Sequence, residues 1–465
     1  MSSTATGLHI LVYPYTDSGH IIPLLDFAHR LLIRGLTVTV LVNPDNLPLL
    51  QPLLSSHPSS IQSLVLPAPE VHAPPQKARA AKVRAMRELY YPILLQWFRS
   101  HPSPPVAIIS DYFLSWTHQL GSELGVPRVV FSPSGAFAFS VLLSLWRDVP
   151  KPADPDDMNS GLSFPELPHS PVFPWLQISR HYRSGKEGDP DWEFHRSNTL
   201  LDVASWGVVF NSFAELERVY FEHLRAELGH DRVWAVGPLL PSDDDIVGPT
   251  NRGGSSSLPI HEVMAWLNAR VDNSVVYVCF GSRATLTSDQ MDVLTTALEQ
   301  SGVQFILCVR KSTGGHAGQD HSSMPDGFED RVGHNGLVVK GWAPQVAILK
   351  HRAVGAFLTH CGWNSVLEGI AAGVVMVTWP MVADQFTNAK LLVDQLGVAI
   401  RAGEGTQIIP ESTELARLLG ESVNPNTPER VRVKEVSDAA LGAIKGGSSD
   451  KDLDDFVKRL SASPK

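Results

Sequence analysis

The strongest constraint on this chain is a recurring pattern of short apolar runs separated by stretches of helical period. In the first half the runs are Leu8–Tyr15, Thr37–Asn43, Ile61–Leu66, Val106–Tyr112, Arg128–Ser132, Trp206–Ser212 and Val233–Gly237. In the second half they are Ser274–Ser282, Val303–Arg310, Gly336–Trp342, Val354–His360, Val374–Trp379 and Gly397–Arg401. Most are continuous rather than alternating, which suits strands buried on both faces. Pro23–Arg34 carries an apolar stripe (Leu24, Leu25, Phe27, Ala28, Leu31, Leu32) that Gly35 can end, and Asp289–Gln300 is closed by Gly302. Strand, helix, strand on this scale predicts α/β architecture with wound parallel sheets.

A length of 465 residues exceeds one compact core. Pro241–Leu258 is rich in Asp, Gly, Ser and Pro and lacks apolar periodicity, so it reads as a linker. The expected organisation is a domain at 1–240, a linker at 241–258, a second domain at 259–450 and a terminal helix at 451–465. A net charge of −10 with no dense basic run argues against nucleic acid or an anionic membrane as partner. Three cysteines, 279, 308 and 361, form no CxxC pair and no disulfide framework, which points to a reducing compartment. No uninterrupted apolar stretch reaches the ~18 residues of a membrane span, so a soluble cytoplasmic protein is expected.

Chemistry in such sheets belongs beyond the carboxyl ends of the strands. After the first run, Thr16–His20 reads as a loop before the Pro23 helix, and His20 there is a candidate general base. Asp111 ends Val106–Ser110 and could hold the other imidazole nitrogen; a turn or N-cap aspartate is the plainer alternative. In the second half, His360 ends a strand and Cys361-Gly362-Trp363-Asn364-Ser365 leads into a helical stretch, Val366–Ala372. A strand, a small polar turn and a helix start make an anion site. Glu368 could accept ribose hydroxyls, Ser282 could supply a second diphosphate contact, and Trp342 offers a face for stacking a base.

Taken together, these residues carry a family resemblance. Trp342–Gln385, with WAPQ, HCGWNS, Glu368 and the closing Asp384-Gln385, resembles the donor box of plant family 1 UDP-dependent glycosyltransferases. His20 in its GH…P loop and Asp111 in a D-x-F motif match that family's catalytic pair. Phe210–Glu217 and Trp234–Pro238 look like further landmarks. The resemblance implies the GT-B fold, two facing Rossmann-like domains with a cleft, and a last helix crossing back onto the first domain. It implies that Trp342 stacks on uracil, with Ala343 and Gln345 supporting base and ribose, and that Glu368 binds the ribose. Ser282, His360, Asn364 and Ser365, in the turn with Gly362, would take the diphosphate. Trp363, Asp384 and Gln385 would contact the sugar. A closing Gln with Trp at 363 is associated in the family with UDP-glucose. Val375 departs from the family's usual Pro.

The implied reaction is inverting glucosyl transfer to a hydroxyl of a small phenolic or flavonoid acceptor, with His20 as base and Asp111 as its partner. UDP-sugar is co-substrate and no metal is required, although Asp243-Asp244-Asp245 and Asp189-Pro190-Asp191 have the Asp-x-Asp form of manganese sites. Phe137, Phe139, Tyr91 and Trp146 are the candidate acceptor pocket, with core packing as the alternative for each. A monomer is expected. The alternatives are rhamnose or galactose as the sugar, a terpenoid or hormone acceptor, or a nucleotide-sugar binding protein without catalysis. A nicotinamide dehydrogenase is disfavoured because no G-x-G-x-x-G follows the first strand.

Overall fold

A computed structural model describes residues 7–74, 77–241, 256–282, 286–309, 324–405 and 408–462. The chain divides into two compact units, Met1–Pro249 with Gly442–Lys465, and Thr250–Leu441. Residues 242–255 of the expected linker, including Asp243-Asp244-Asp245, lie outside the described residues.

The first unit is built on strands β1 (His9–Tyr13), β2 (Thr37–Val42), β3 (Ile61–Val65), β4 (Ala107–Asp111) and β5 (Arg128–Ser132). After β6 (Gly161–Ser163) and β7 (Val172–Pro174) come β8 (Gly207–Phe210) and β9 (Val233–Ala235). Seven of these pair in parallel in the order β3-β2-β1-β4-β5-β8-β9. β1, β4, β5 and β8 are buried along their whole length, as their continuous apolar pattern requires. β6 and β7 form a separate antiparallel pair whose inward residues are Leu162 and Phe173. Each has one inward side chain between exposed or half-buried neighbours, so neither leaves an apolar run in the sequence.

Helix Ser18–Ile33 lays its Leu24, Leu25, Phe27, Ala28, Leu31 and Leu32 stripe into this core. It begins before the expected Pro23 start. The carbonyl of Asp17 accepts the N–H groups of both His20 (2.8 Å) and Ile21 (2.9 Å), which closes a first turn ahead of the proline. His20 therefore stands on a helix and not in a loop.

The last helix, Ser448–Ala462, belongs to this unit. Phe456 is fully buried, with its ring 5.9 Å from Phe27 and 5.1 Å from Trp234. The polar side of the helix is also fixed. Arg30 and Arg34 pair with Asp450, Arg34 with Asp454, and Asp452 accepts the Ala235 N–H of edge strand β9 at 2.8 Å. An edge strand left open would be a template for unwanted pairing.

The second unit carries β10 (Val275–Cys279), β11 (Gln304–Val309), β12 (Gly336–Lys340), β13 (Val354–Thr359), β14 (Val375–Thr378) and β15 (Ala399–Arg401). They form one parallel sheet in the order β12-β11-β10-β13-β14-β15. Helix Ser288–Ser301 opens on a reciprocal capping box between Thr287 and Gln290 and stops at Gly302, whose φ is +64°. Val375 sits fully buried as the first residue of β14, paired with Ala356, so replacing the family's proline leaves an ordinary strand residue. The three cysteines are free thiols. Among the described residues no helix is long and apolar enough to cross a membrane.

Phe456→Ala should lower stability by about 3–5 kcal/mol, because it opens a cavity between two aromatic rings. Urea unfolding of the purified protein measures this, and a loss under about 1 kcal/mol would show that the helix contributes little.

Candidate active site

Each sheet reverses its strand order once, and His20, Asp111, Ser282 and the stretch from His360 to Ser365 lie at those reversals. In a doubly wound sheet the connections on either side of such a point run to opposite faces, leaving a crevice at the carboxyl ends of two adjacent strands. In the first unit the point falls between β1 and β4. His20 follows β1, and Asp111 is the last residue of β4, one position beyond the Tyr13–Ser110 register pair. The two meet: His20 Nδ1–H donates to Asp111 Oδ2 at 2.8 Å. The Asp111 side chain is fully buried, while that of His20 is 16% exposed.

The carboxylate is held from several sides. Its Oδ1 accepts the Phe113 N–H at 2.9 Å, so Asp111 also caps the short turn after β4. Behind it lies Arg128, a fully buried cation at the start of β5. Its Nη2 donates to the Asp111 carbonyl (3.2 Å), Nε to Ser110 Oγ (2.9 Å), and Nη1 to Ser205 and to the buried carboxylate of Asp202. The sequence signal for Arg128 is a charge opening an otherwise apolar strand, RVVFS. The imidazole is bounded by Tyr15 (5.4 Å), Tyr112 (5.7 Å) and Phe113 (4.8 Å between ring centres).

In the second unit the order reverses between β10 and β13. Cys279 and Thr359 are paired in register, so the turns Phe280-Gly281-Ser282 and His360-Cys361-Gly362 leave the sheet side by side. A side chain on Gly281 (φ +75°) would place its Cβ 2.3 Å from His360 Nε2, and one on Gly362 would come within 2.5 Å. The imidazole thus packs against two bare backbones; a Cβ at either place would force the ring to shift, and at Gly281 the positive φ favours glycine as well. Burial pushes the His360 imidazole down to about 4, so the ring is neutral and its ring N–H can donate to an anion.

Helix Trp363–Ala372 begins here with Gly362 as its N-cap and ends at Gly373 (φ +67°). Asn364 and Ser365 lie in its first turn rather than in a preceding loop. Free N–H groups at such an end favour negative charge. Gln345, on the turn after β12, ties the surrounding groups together. Its Nε2 donates to Glu368 Oε2 (2.6 Å) and Ser365 Oγ (2.9 Å), while its Oε1 accepts from Tyr277 (3.2 Å). Tyr277 was missed in the sequence, where a tyrosine inside an apolar strand reads only as core. Trp342 is partly exposed and Ala343 buried. Gln385 Oε1 accepts the N–H groups of Met381 and Val382, both at 2.9 Å. That orients the amide and leaves its NH₂ as the donor end. Trp363 is buried, and Asp384 Oδ2 accepts from Asn388.

Comparison with known proteins agrees with this geometry. Residues 232–408 match the family described as UDP-glucoronosyl and UDP-glucosyl transferase. UDP-glycosyltransferase 89B2 of Stevia rebaudiana is 51% identical, over 99% of this chain and 99% of its own. A flavonol 3-O-glucosyltransferase of Arabidopsis thaliana is 50% identical, over 98% and 96%. The chain belongs to the plant family 1 UDP-glycosyltransferases. Among solved structures, Arabidopsis thaliana UGT89C1 complexed with UDP-L-rhamnose is 37% identical over 97% of this chain and 99% of that one, with a TM-score of 0.79. The fold of this glycosyltransferase is GT-B, with two Rossmann-like parallel-sheet domains.

Its expected acceptor residues fare unevenly. Phe139, 2% exposed, packs edge-on against Phe210 at 5.3 Å, with Tyr112 the next ring at 6.2 Å. Phe137, 1% exposed, is stacked on Tyr220, and Trp146 is enclosed by Tyr182, Trp192 and His195. All three are packed in the core, because helix Ala136–Asp148 turns most of its apolar side chains inward. Tyr91 lines a different surface pocket with Arg84, Arg87, Glu88 and Gln119, and its hydroxyl donates to Glu123. Asp189 is the N-cap of helix Pro190–Leu200 and pairs with Lys77, while Asp191 pairs with Arg84. The landmark Glu217 is a buried cap: its carboxylate accepts the N–H groups of Ala136 and Phe137 and the Ser212 hydroxyl.

Gly281→Ala should displace His360 and weaken UDP binding about tenfold or more, since strain at such a backbone costs on the order of 1–3 kcal/mol. Calorimetric titration with UDP reads this directly. His360 also makes stability pH-dependent. Unfolded, the imidazole takes a proton near 6.5, whereas folded it stays neutral down to about 4. The native state therefore binds fewer protons across that window, and stability falls as pH drops from 6.5 to 4. His360→Asn should show a shallower fall, measured by urea unfolding at stepped pH.

Proposed function

We propose that this glycosyltransferase moves glucose from UDP-glucose to a hydroxyl of a phenolic or flavonoid acceptor, with inversion and without a metal, as a cytoplasmic enzyme. The first unit supplies the base and the acceptor contacts, and the second holds the donor. The observation that carries the reading is the 2.8 Å bond from His20 Nδ1–H to the buried carboxylate of Asp111. It commits Nδ1 to the proton and leaves Nε2 with the lone pair. Nε2 removes the acceptor hydroxyl proton, the oxygen bonds to the anomeric carbon opposite UDP, and the bond to the diphosphate oxygen breaks. Asp111 stabilises the imidazolium so formed.

The departing diphosphate gathers negative charge at the start of helix Trp363–Ala372, beside the neutral His360 donor and Ser365. Preorganised dipoles there do what a divalent ion does elsewhere. Glu368 and Gln345 fit the ribose, Trp342 the uracil, and the amide of Gln385 a sugar hydroxyl. Glucose is favoured over rhamnose by the closing Gln385 and by the 50% identity to a glucosyltransferase, against 37% to the structure holding UDP-L-rhamnose. The rings around His20 suit a flat acceptor.

His20→Ala should lower kcat by about 10²–10⁴-fold while UDP affinity stays unchanged; undiminished turnover would refute the base assignment. Activity should survive EDTA, and a loss restored by manganese would refute the metal-independent mechanism. A panel of UDP-glucose, UDP-galactose and UDP-rhamnose should show UDP-glucose as the preferred donor.

A further inference from the structure

Helix Ala78–Ser100 and the residue before it present a row of cations beside the His20 pocket, and they divide into two kinds. Lys77 pairs with Asp189 (2.7 Å) and Asp191 (3.5 Å), and Arg84 pairs with Asp191 (2.8 Å). Arg79 and Lys82 lie between them in sequence and, among the described residues, meet no carboxylate. Arg79 stands over the ring of Phe113, its guanidinium carbon 4.5 Å from the centroid. Lys82 Nζ lies 5.1 Å from the ring centre of Tyr15 and donates one hydrogen bond, to Thr16 Oγ1 at 2.6 Å. Phe113 and Tyr15 are the rings that flank His20, at 4.8 and 5.4 Å, and they touch each other edge to face at 5.3 Å. Each cation therefore rests on a ring that also borders the imidazole.

We infer that Arg79 and Lys82 form a subsite that reads a carboxylate on the acceptor, so that the substrate class is a hydroxylated aromatic acid. Two neighbouring cations that meet no counter-charge among the described residues, in a chain of net charge −10, leave a local positive potential that an acidic ligand neutralises. Among the described residues Arg79 keeps its guanidinium donors uncommitted, and Lys82 keeps two of its three. The placement also sets geometry. With the reacting hydroxyl at His20 Nε2 and the arene along Tyr15 and Phe113, a carboxylate across the ring from that hydroxyl reaches the cations. A bidentate fork from Arg79 and a point charge from Lys82 would then select the acid over a neutral isostere. This rests on His20 being the base.

The test compares 4-hydroxybenzoate with 4-hydroxybenzamide at saturating UDP-glucose, in the wild type, Arg79→Gln, Lys82→Met and Lys82→Arg. The wild type should prefer the acid in kcat/KM. Arg79→Gln and Lys82→Met should each lower kcat/KM for the acid about 10- to 100-fold, mainly through KM, as loss of a charge-assisted bond implies. The amide should change less than about twofold, and Lys82→Arg should keep most of the preference. An amide turned over as well as the acid, no turnover of the acid, equal losses on both acceptors, or a rise in the KM of UDP-glucose instead would each overturn the subsite. The base is judged apart by His20→Ala on the amide. Retained turnover there sinks the catalytic reading, whereas a wild type that uses the amide without preferring the acid sinks only the subsite.

Discussion

Parallel pairing is the constraint from which the rest of this molecule follows. Parallel strands cannot be joined by tight turns, so every strand needs a crossover, and the crossovers carry helices onto both faces of the sheet. When the strand order reverses, two neighbouring connections depart to opposite sides and leave an opening that no helix covers. Both sheets do this once, at β1/β4 and at β10/β13. His20 and Asp111 occupy the first opening; Gly281, His360 and the helix start at Gly362 occupy the second. The chemistry sits where the topology cannot close the fold.

Each opening is supported by polar groups buried beneath it. Arg128 holds the Asp111 carbonyl and the Ser110 hydroxyl from the neighbouring strand, which steadies the end of β4 beneath the carboxylate that faces His20. Tyr277 does the corresponding work in the second sheet, where its hydroxyl holds the amide of Gln345, which in turn holds Glu368 and Ser365. A catalytic or ligand-binding side chain is useful only if its orientation is settled before the ligand arrives. In both units a strand residue with its polar end facing the site provides that settlement.

The strands were legible because burial on both faces writes a continuous apolar run that no loop imitates, and each expected run became a strand of the parallel sheets. Helix ends were less legible. Pro23 looked like a first helical residue, yet the Asp17 carbonyl closed a turn ahead of it and carried His20 onto the helix. The donor residues were recognisable because they fall within one contiguous stretch, from Trp342 to Gln385. The acceptor residues were not, because Phe137, Phe139 and Trp146 share one helix and differ only in which way they turn. All three point into packing, Phe139 with Phe210, Phe137 with Tyr220 and Trp146 with Trp192. Tyr91 faces Glu123 on another surface.

By itself the sequence determined the architecture, the family and the local donor signature, since each depends on residues close together in the chain or on a repeating period. Only the tertiary structure decided that His20 meets Asp111 and that His360 rests on Gly281 and Gly362. It also decided that, among the described residues, Lys77 and Arg84 find carboxylates while Arg79 and Lys82 meet none. Those outcomes depend on which strands become neighbours and on how far each side chain is removed from water. Strand order and burial are properties of the whole folded chain, and no short stretch of residues encodes either.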